Sequence, residues 1–278
     1  MIDRIKAEGK FDKPLTRKKN EALHKKLLPG KLYHLADEDR RHIEPILRKY
    51  AHFFHDEEND FKCTNVMEHQ IQVGDVKPIR KQPYRFPYAL RQEMQDQVQK
   101  MIDKNVTRPS NSPWSFPAIL VLKKKGPDGK PQYRFCVDFR ALNYVNRFDS
   151  YPLPLLGEAT AALYVSKYFT VLDFNSGFWQ MGIRKDHKEL TGFTVPSGHY
   201  EFNRLPFELS NSPVNFQSLM DTVLKNLVGR GCFVFIDDSI LFSSSAEEHA
   251  RKLERVLQRF DRANLQLHPP NVCSHSHK

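Results

Sequence analysis

Apolar residues recur every three or four positions in several segments, a spacing that predicts α-helices with one buried face. The predicted helices cover residues 37–55, 88–105 and 212–228 and the segment that follows Ser245. Ser245 and Glu248 have the spacing of a capping box, which fixes the start of the last helix. The buried faces are expected to contain Ile43, Ile46, Leu47, Tyr50, Phe53, Phe54, Leu90, Met94, Val98, Met101, Ile102, Phe216, Leu219, Met220, Val223, Leu224, Leu253, Val256, Leu257 and Phe260.

Apolar runs bounded by Gly, Pro, Asn and Asp predict three β-hairpins. Their sequences are FPAILVLKKKGPDGKPQYRFCVDF, YFTVLDFNSGFWQMGI and CFVFIDDSILFS. The Pro-rich stretch KPIRKQPYRFP predicts an extended segment. The final CSHSHK predicts a disordered tail, with a metal site at Cys273, His275 and His277 as the alternative. Helices and hairpins follow each other in mixed order, which favours an α+β fold.

Composition agrees with one or two globular domains, since 40% of the 278 residues are hydrophobic. No apolar run approaches the length of a membrane span, and the first residues lack the apolar core of a signal peptide. We therefore expect a cytoplasmic or nuclear protein that is not secreted and has no membrane partner. The four cysteines are scattered and are expected to be free thiols that fill the core.

The formal net charge of +10 indicates a polyanionic partner. Nucleic acid is the first candidate and an acidic membrane surface a distant second, because no basic amphipathic helix with an aromatic face is evident. Residues 1–34 contain ten Lys and Arg against four Asp and Glu. This basic arm is either a binding element or a mobile, solubilising segment.

Three carboxylates are expected at strand ends. Asp173 ends the first apolar run of the second hairpin, and Asp237 and Asp238 occupy the turn of the third. An isolated pair of Asp residues would favour an ordinary turn. A third carboxylate on a neighbouring strand instead favours a site for two divalent metal ions, the arrangement used for in-line phosphoryl transfer.

The first hairpin has a basic tip. Lys123, Lys124, Lys125 and Lys130 surround its turn, and Arg134 lies on the returning strand. Charges at a hairpin tip are usually solvated, but clustered cations also suit phosphate binding.

The chain resembles the reverse transcriptase region of gypsy-type LTR retrotransposon polyproteins from KPIRKQPYR to NLQLHP. The motifs that carry the resemblance are SPWSFPAILVLKKK, YRFCVDFRALN, YPLPL, YFTVLDFNSGFWQM, TGFTVPSGHYEFNRLPF, NSPVNFQSLMD and VFIDDSILFS. The resemblance implies a right-hand polymerase, with fingers and palm in residues 77–278. The palm would be an antiparallel sheet with helices on one face. Residues 1–76 would be the basic arm and the segment that connects a protease to the polymerase.

The family's activity is RNA-directed DNA polymerisation from deoxynucleotides, with two Mg²⁺ ions or Mn²⁺ as a substitute, on an RNA or DNA template with a primer. By resemblance, Asp173, Asp237 and Asp238 are the catalytic metal ligands, Asp238 being the least essential. The implied nucleotide-binding residues are Lys123, Lys124, Arg134, Phe207 and Gln217, the backbone of Asn175, Ser176 and Gly177, and Phe178 as a gate beneath the sugar. Arg140 and Pro213 match template-binding positions. The oligomeric state is left open.

Three features depart from the family pattern, and the mildest is Phe235 in place of the commoner Tyr of the motif Tyr-x-Asp-Asp. Glu208 replaces Gly in the motif Pro-Phe-Gly-Leu, where it is predicted to inactivate the site, either by repelling a triphosphate or by binding Mg²⁺ unproductively. The alternative is that Glu208 points to solvent or pairs with Arg204 and has little effect. After LQLHP the sequence PNVCSHSHK replaces the family's primer-gripping hairpin. We therefore expect fingers and palm without thumb, RNase H or integrase. A non-enzymatic nucleic-acid-binding remnant is the alternative function.

Overall fold

The computed structural model describes residues 35–54, 61–123, 131–154 and 163–274, together with Lys25, Leu32, Lys125 and Gly129. The main helices are α1 (Asp37–Lys49), α2 (Arg91–Asp103), α3 (Arg140–Val145), α4 (Ser212–Val223) and α5 (Ala246–Arg262). Four of these were predicted; α3, of six residues, was too short to give a periodic signal. None of the helices in the described residues is both long enough and apolar enough to cross a membrane.

The capping box at the start of α5 is only half formed. The Ser245 hydroxyl oxygen accepts a hydrogen bond from the Glu248 backbone N–H, as an N-cap should. The Glu248 carboxylate accepts from the backbone N–H and the hydroxyl of Ser244 instead of from Ser245. The predicted start of the helix is nevertheless confirmed.

One sheet contains the predicted first hairpin. The strands of this sheet are β1 (Thr107–Pro109), β2 (Phe116–Leu122), β3 (Tyr133–Val137), β5 (Phe193–Val195) and β6 (Gly198–Phe202), and the predicted hairpin is β2 and β3. Their order is β1-β6-β5-β2-β3, and β2 runs parallel to β5 while the other pairs are antiparallel. The β2–β3 hairpin lies at one edge of this sheet, and Lys124 and Lys130 of its basic tip lie outside the described residues.

The second sheet is fully antiparallel. It consists of β4 (Tyr168–Asp173), β7 (Cys232–Phe235), β8 (Asp238–Ser243) and β9 (Asn271–Ser274), in the order β7-β8-β4-β9. Helix α5 packs against β8 and β4, and its apolar face is fully buried, as predicted. The α+β fold class is therefore confirmed.

The second strand predicted for residues 168–183 is not present. After β4 the chain forms a 3-10 helix, Gly177–Gln180. The Phe174 ring turns into the core, where it packs edge-on against Phe216 at 5.6 Å and Phe260 at 5.0 Å between ring centroids. The Phe174 ring is thus buried by packing against helices α4 and α5, and not on a second strand as the alternating pattern predicted.

The predicted disordered tail is also wrong for the residues that can be described. Residues 271–274 form β9, which pairs with β4, and Val272 is buried. Successive side chains on a strand point to opposite faces, so Cys273 is exposed and does not fill the core. All four cysteines are free thiols, as expected. His275 and His277 lie outside the described residues.

Helix α1 packs against α5, so this part of the segment before Lys77 contacts the remainder of the fold. Lys49 Nζ lies 2.6 Å from Glu254 Oε1, and the Tyr168 hydroxyl on β4 donates to Asp39 at 2.9 Å. The predicted boundary between residues 1–76 and 77–278 stays a prediction. Of the basic arm, only Lys25 and Leu32 lie in the described part of the chain.

Candidate active site

The strand register brings two of the three predicted carboxylates together. Strand β4 ends at Asp173 and β8 begins at Asp238, and these two residues are directly paired across the antiparallel ladder. Side chains at such positions are nearest neighbours on the same face. The turn between β7 and β8 consists of two residues, Ile236 and Asp237, and Asp238 follows it as the first residue of β8. The turn therefore contains one Asp, and the second already belongs to the strand.

Charge accumulates at this end of the sheet. Asp173 and Asp238 are exposed, and Asp237 is half-buried. Burial raises the pKa of Asp238 above its ordinary value, and the neighbouring Asp237 and Asp173 carboxylates raise it further. Three hard oxygen donors that repel one another are chemically suited to a divalent cation such as Mg²⁺.

The three carboxylates do not form a ready-made metal cage. Among the residues that the structure describes, no group of three or more His, Cys, Asp or Glu side chains is arranged to hold a metal ion by itself. Mg²⁺ commonly takes only one or two protein carboxylates and completes its shell with water and substrate phosphates. The donor set thus fits a metal that is shared with a substrate.

The turn that carries Asp237 has a strained backbone. Ile236 has φ = 58°, in the left-handed region that a β-branched residue rarely adopts. The Gln217 side chain of α4 is fully buried beneath the turn, and its Oε1 accepts from the Ile236 backbone N–H at 2.7 Å. Its Nε2 donates to the Val234 carbonyl at 3.4 Å. In this structure Gln217 contacts the turn and not solvent; its predicted contact with nucleotide or template stays a prediction.

A second turn, after β4, packs closely against the first. A Cβ atom added to Gly177 would lie 3.0 Å from Phe216 Cζ, 3.1 Å from Phe174 Cβ and 3.4 Å from Asp237 Cβ. Glycine is therefore required for the two turns to approach this closely. Of the neighbouring predicted residues, Asn175 is buried and accepts at its carbonyl from Gln180, and Ser176 is half-buried with φ = 49°.

A row of aromatic rings joins this centre to the basic hairpin. Phe178 is 8% exposed and packs between Phe216, at 5.4 Å, and Phe207, at 5.2 Å between centroids. The Arg134 guanidinium on β3 lies 5.0 Å from the Phe207 ring centroid, a cation–π contact. Lys123 is exposed at the end of β2, and Lys124 lies outside the described residues. Arg134, Phe207 and Phe178 thus form a continuous row of contacts, and Gly177, the residue before Phe178, adjoins Asp237.

The two predicted template-binding residues lie at the starts of helices. Arg140, the first residue of α3, makes two hydrogen bonds to Asp138, at 2.7 and 2.6 Å, and remains largely exposed. These bonds hold the pKa of Asp138 well below its usual range. The Tyr84 hydroxyl also donates to Asp138, at 2.6 Å. Pro213 is half-buried in the first turn of α4.

Asn143 ends the motif YRFCVDFRALN, but its role was not indicated by the sequence. Its Nδ2 donates to the Glu208 carbonyl and its Oδ1 accepts from the Ser210 backbone N–H, both at 2.9 Å. The side chain thereby fixes the turn after Phe207 to helix α3. An asparagine within a short helix gives no signal of such a distant contact.

Glu208 does not pair with Arg204, the alternative considered for it. Nη1 of Arg204 has no hydrogen-bond partner in the described part of the chain. Glu208 lies beside Cys136 and is influenced by Arg134. Burial raises the pKa of the Glu208 carboxyl, while the Cys136 thiol and the Arg134 charge oppose this. Burial, followed by the Glu208 charge, raises the pKa of Cys136 to about 11.

Comparison with known proteins gives consistent matches. Residues 122–271 match the family model "Reverse transcriptase (RNA-dependent DNA polymerase)". The Pol polyprotein of the Drosophila melanogaster transposon opus is 36% identical over 81% of this chain and 22% of its own length. The Pol polyprotein of transposon gypsy from the same organism is 36% identical over 71% of this chain and 19% of its own length.

The fold of the chain is also similar to solved structures of reverse transcriptases. The prototype foamy virus protease-reverse transcriptase superposes with a TM-score of 0.74 and 25% identity, over 89% of this chain and 32% of that chain. A foamy viral protease-reverse transcriptase in complex with an RNA/DNA hybrid gives a TM-score of 0.75 and 23% identity, over 95% of this chain and 34% of that chain.

The chain spans about a fifth of the length of the curated relatives it matches. The family model nevertheless covers just over half of the 278 residues, and this part includes the carboxylates, the aromatic row and Arg134. The chain belongs to the reverse transcriptase family, among relatives that are Pol polyproteins of gypsy-type LTR retrotransposons.

Proposed function

We propose that this chain provides the fingers and palm of an RNA-directed DNA polymerase. The reaction would transfer a nucleotidyl group from a deoxynucleoside triphosphate to a primer 3′-hydroxyl on an RNA or DNA template. The observation that carries the proposal is the direct pairing of Asp173 with Asp238, next to Asp237 in the adjoining turn. Membership in the reverse transcriptase family supports it.

Asp173 and Asp237 would hold two Mg²⁺ ions, with Asp238 as the least essential ligand. Bound metal ions supply positive charge at the attacking and leaving oxygens of an in-line displacement. The protein's contribution is to fix the carboxylates on a rigid sheet. The Gln217 amide and the packing of Gly177 set the position of the turn that carries Asp237.

The nucleotide would bind along the row between the carboxylates and the basic hairpin. Arg134, with Lys123 and Lys124, would neutralise the triphosphate. The Phe207 ring beneath the Arg134 guanidinium helps to hold the guanidinium in place. Phe178 would lie under the sugar and exclude a 2′-hydroxyl by shape. The backbone of Asn175, Ser176 and Gly177 would contact phosphate oxygens.

The catalytic part of the proposal is tested by primer extension with the full chain on an RNA template with Mg²⁺. Asp237→Asn and Asp173→Asn are expected to abolish extension and to leave template binding intact, since these carboxylates serve the metal ions. Asp75→Asn, at an exposed position of a loop, is the control and should extend like the parent chain. Extension that survives either site change would contradict the assignment.

The proposed partner is a template–primer duplex, with Arg140 and Pro213 on the template side. The net charge of +10 supports a polyanionic partner. Because bound cations release counterions from the phosphates, log affinity should fall linearly with log salt concentration. Arg140→Gln should reduce the slope by about 1. A flat salt dependence would argue against nucleic acid, and salt-dependent binding without any extension would indicate the non-enzymatic alternative.

A further inference from the structure

We infer that Tyr151 and Asp221 are positioning residues of the turn that carries Asp237, and that they act through Gln217. The inference rests on the proposed polymerase function for its consequence, but its geometry is independent of that function. Tyr151 lies in the motif YPLPL and Asp221 in NSPVNFQSLMD, but neither motif assigned a role to these residues. Both lie outside the group of side chains that would touch a nucleotide, a template or a metal ion.

The three side chains form a chain of hydrogen bonds that ends at the turn. The Tyr151 hydroxyl donates to Asp221 Oδ2 at 2.6 Å. Asp221 Oδ1 accepts from Gln217 Nε2 at 3.1 Å, one helical turn earlier in α4. Gln217 Oε1 then accepts from the Ile236 backbone N–H at 2.7 Å.

The carboxylate of Asp221 determines which way the Gln217 amide faces. An ionised carboxylate only accepts hydrogen bonds, so it selects the NH₂ group of the amide. The carbonyl oxygen must then face the opposite way, toward the Ile236 N–H, which needs an acceptor. A flipped amide would place two donors against each other at the turn and two acceptors against each other at Asp221. Asp221, at 3.1 Å, and the Val234 carbonyl, at 3.4 Å, therefore both select the amide orientation that holds the turn, and Asp221 makes the shorter contact.

Tyr151 completes the arrangement because its hydroxyl can donate to the second oxygen of Asp221. Burial, together with the Asp221 charge, raises the pKa of Tyr151 to about 12, so the hydroxyl remains a donor at neutral pH. The Tyr151 backbone N–H donates to Asp149 at 3.2 Å, which anchors the tyrosine from its other side. The Asp221 carboxylate on helix α4 is thus held by a residue outside that helix, Tyr151.

The turn needs such support because of its backbone conformation. Ile236 adopts φ = 58°, which is costly for a β-branched residue and persists only when surrounding contacts enforce it. If the Gln217 carbonyl loses its fixed orientation, the turn can relax toward a less strained conformation. Asp237, the next residue, would then move relative to Asp173 and Asp238.

Hydrogen exchange of the Ile236 backbone amide is the direct measurement, because it requires neither metal nor activity. Tyr151→Phe should accelerate this exchange by about tenfold, the equivalent of one lost hydrogen bond. Asp221→Asn should accelerate it further, since an Asn amide can donate as well as accept and the orientation of Gln217 then depends on the longer contact to the Val234 carbonyl alone. Tyr168→Phe is the matched control: it removes a similar tyrosine–carboxylate bond, to Asp39 at 2.9 Å, and should leave Ile236 exchange unchanged relative to the rest of the sheet.

The consequence for the site is measured with Mn²⁺ alone, by electron paramagnetic resonance. Tyr151→Phe should weaken Mn²⁺ binding several-fold, while Tyr168→Phe at similar overall stability should not. Unchanged Ile236 exchange in Tyr151→Phe and Asp221→Asn would overturn the inference and show that these residues are only structural. Absence of Mn²⁺ binding by the parent chain would instead contradict the proposed function, and the exchange result would still decide the role of Tyr151.

Discussion

In the proposed nucleotide site, single charges near Arg134 would determine how strongly a triphosphate is attracted. Glu208 lies beside Cys136, close enough to Arg134 for each charge to influence the other. A carboxylate at this position partly neutralises the cation that the triphosphate would use. Because Glu208 is partly shielded from water, its effect is larger than that of a surface carboxylate at the same separation.

Glu208→Gln is therefore expected to lower the apparent KM for deoxynucleotides several-fold, on the order of 1 kcal/mol, with little change in kcat. Gln keeps the shape of the side chain and removes only the charge. Steady-state primer extension at a series of nucleotide concentrations measures the effect. Glu189→Gln, at an exposed position, controls for a general change in net charge. Identical KM values for the two variants would show that Glu208 has no influence on nucleotide binding.

At the level of secondary-structure elements, the geometry of the candidate active site depends on the contact between two turns. The turn after β4 contributes Gly177, and the turn between β7 and β8 contributes Asp237. Helix α4 lies beneath both, through Phe216 and Gln217. A change in the spacing of the turns should therefore alter the position of Asp237 even when all three carboxylates are retained.

Gly177→Ala should lower the free energy of unfolding by about 1–3 kcal/mol, because the new methyl group meets Phe216 and Phe174 at 3.0–3.1 Å. Nucleotide addition should fall by more than this loss of stability explains, since the methyl group also faces Asp237. Urea denaturation and primer extension give the two values. Gly74→Ala is the control, because its Cβ would have no atom within 4 Å. Equal stability of the two variants would disprove the close approach.

Local sequence patterns predicted the helices and strands better than they predicted which strands pair. The helical spacing in residues 212–228 and the capping box at Ser245 identified α4 and α5, since both signals arise within one segment. The parallel pairing of β2 with β5 and the addition of β9 beside β4 join distant segments and gave no local signal. The 3-10 helix after β4 forms because Phe174 is buried by rings from α4 and α5.

The geometry of the candidate active site was predictable to the same extent. That Asp173 and Asp238 lie together could be predicted because strand ends are visible in the hydrophobic pattern, and the catalytic role of the three Asp residues stays a prediction. The supporting contacts of Gln217, Asn143 and Tyr151 could not be predicted. Each is a hydrogen bond between segments far apart in sequence, and only the folded arrangement shows which backbone group lies opposite each side chain.

For the molecule as a whole, two buried histidines link stability to pH. His249 in α5 is fully buried, with ring nitrogens 2.6 Å from Thr170 Oγ1 and 2.7 Å from Ser243 Oγ. Burial lowers its pKa to about 4. Burial likewise lowers the pKa of His69 to about 4. The folded state therefore keeps both rings neutral under conditions in which an unfolded chain would protonate them.

Stability should decrease as pH falls from about 6.5, the ordinary histidine pKa, to about 4. In this range the unfolded chain binds protons that the folded chain excludes, so acid favours unfolding. Each histidine contributes up to about 3 kcal/mol of this loss. Urea denaturation at several pH values measures it. His249→Gln should be less stable than the parent at neutral pH but should lose less stability on acidification. Equal pH dependence in the two proteins would exclude His249 as a source.

The pairing of β9 with β4 has a mechanical consequence. Strand β4 is bonded to β8 on one side and to residues 271–274 on the other, and the backbone N–H of His268 donates to the Asp173 carbonyl at 2.8 Å. Tension along β9 would load the β4–β9 hydrogen bonds in shear. The strand that takes up this load is the one that ends at Asp173, so a force on β9 would act directly on the element that carries one of the three carboxylates.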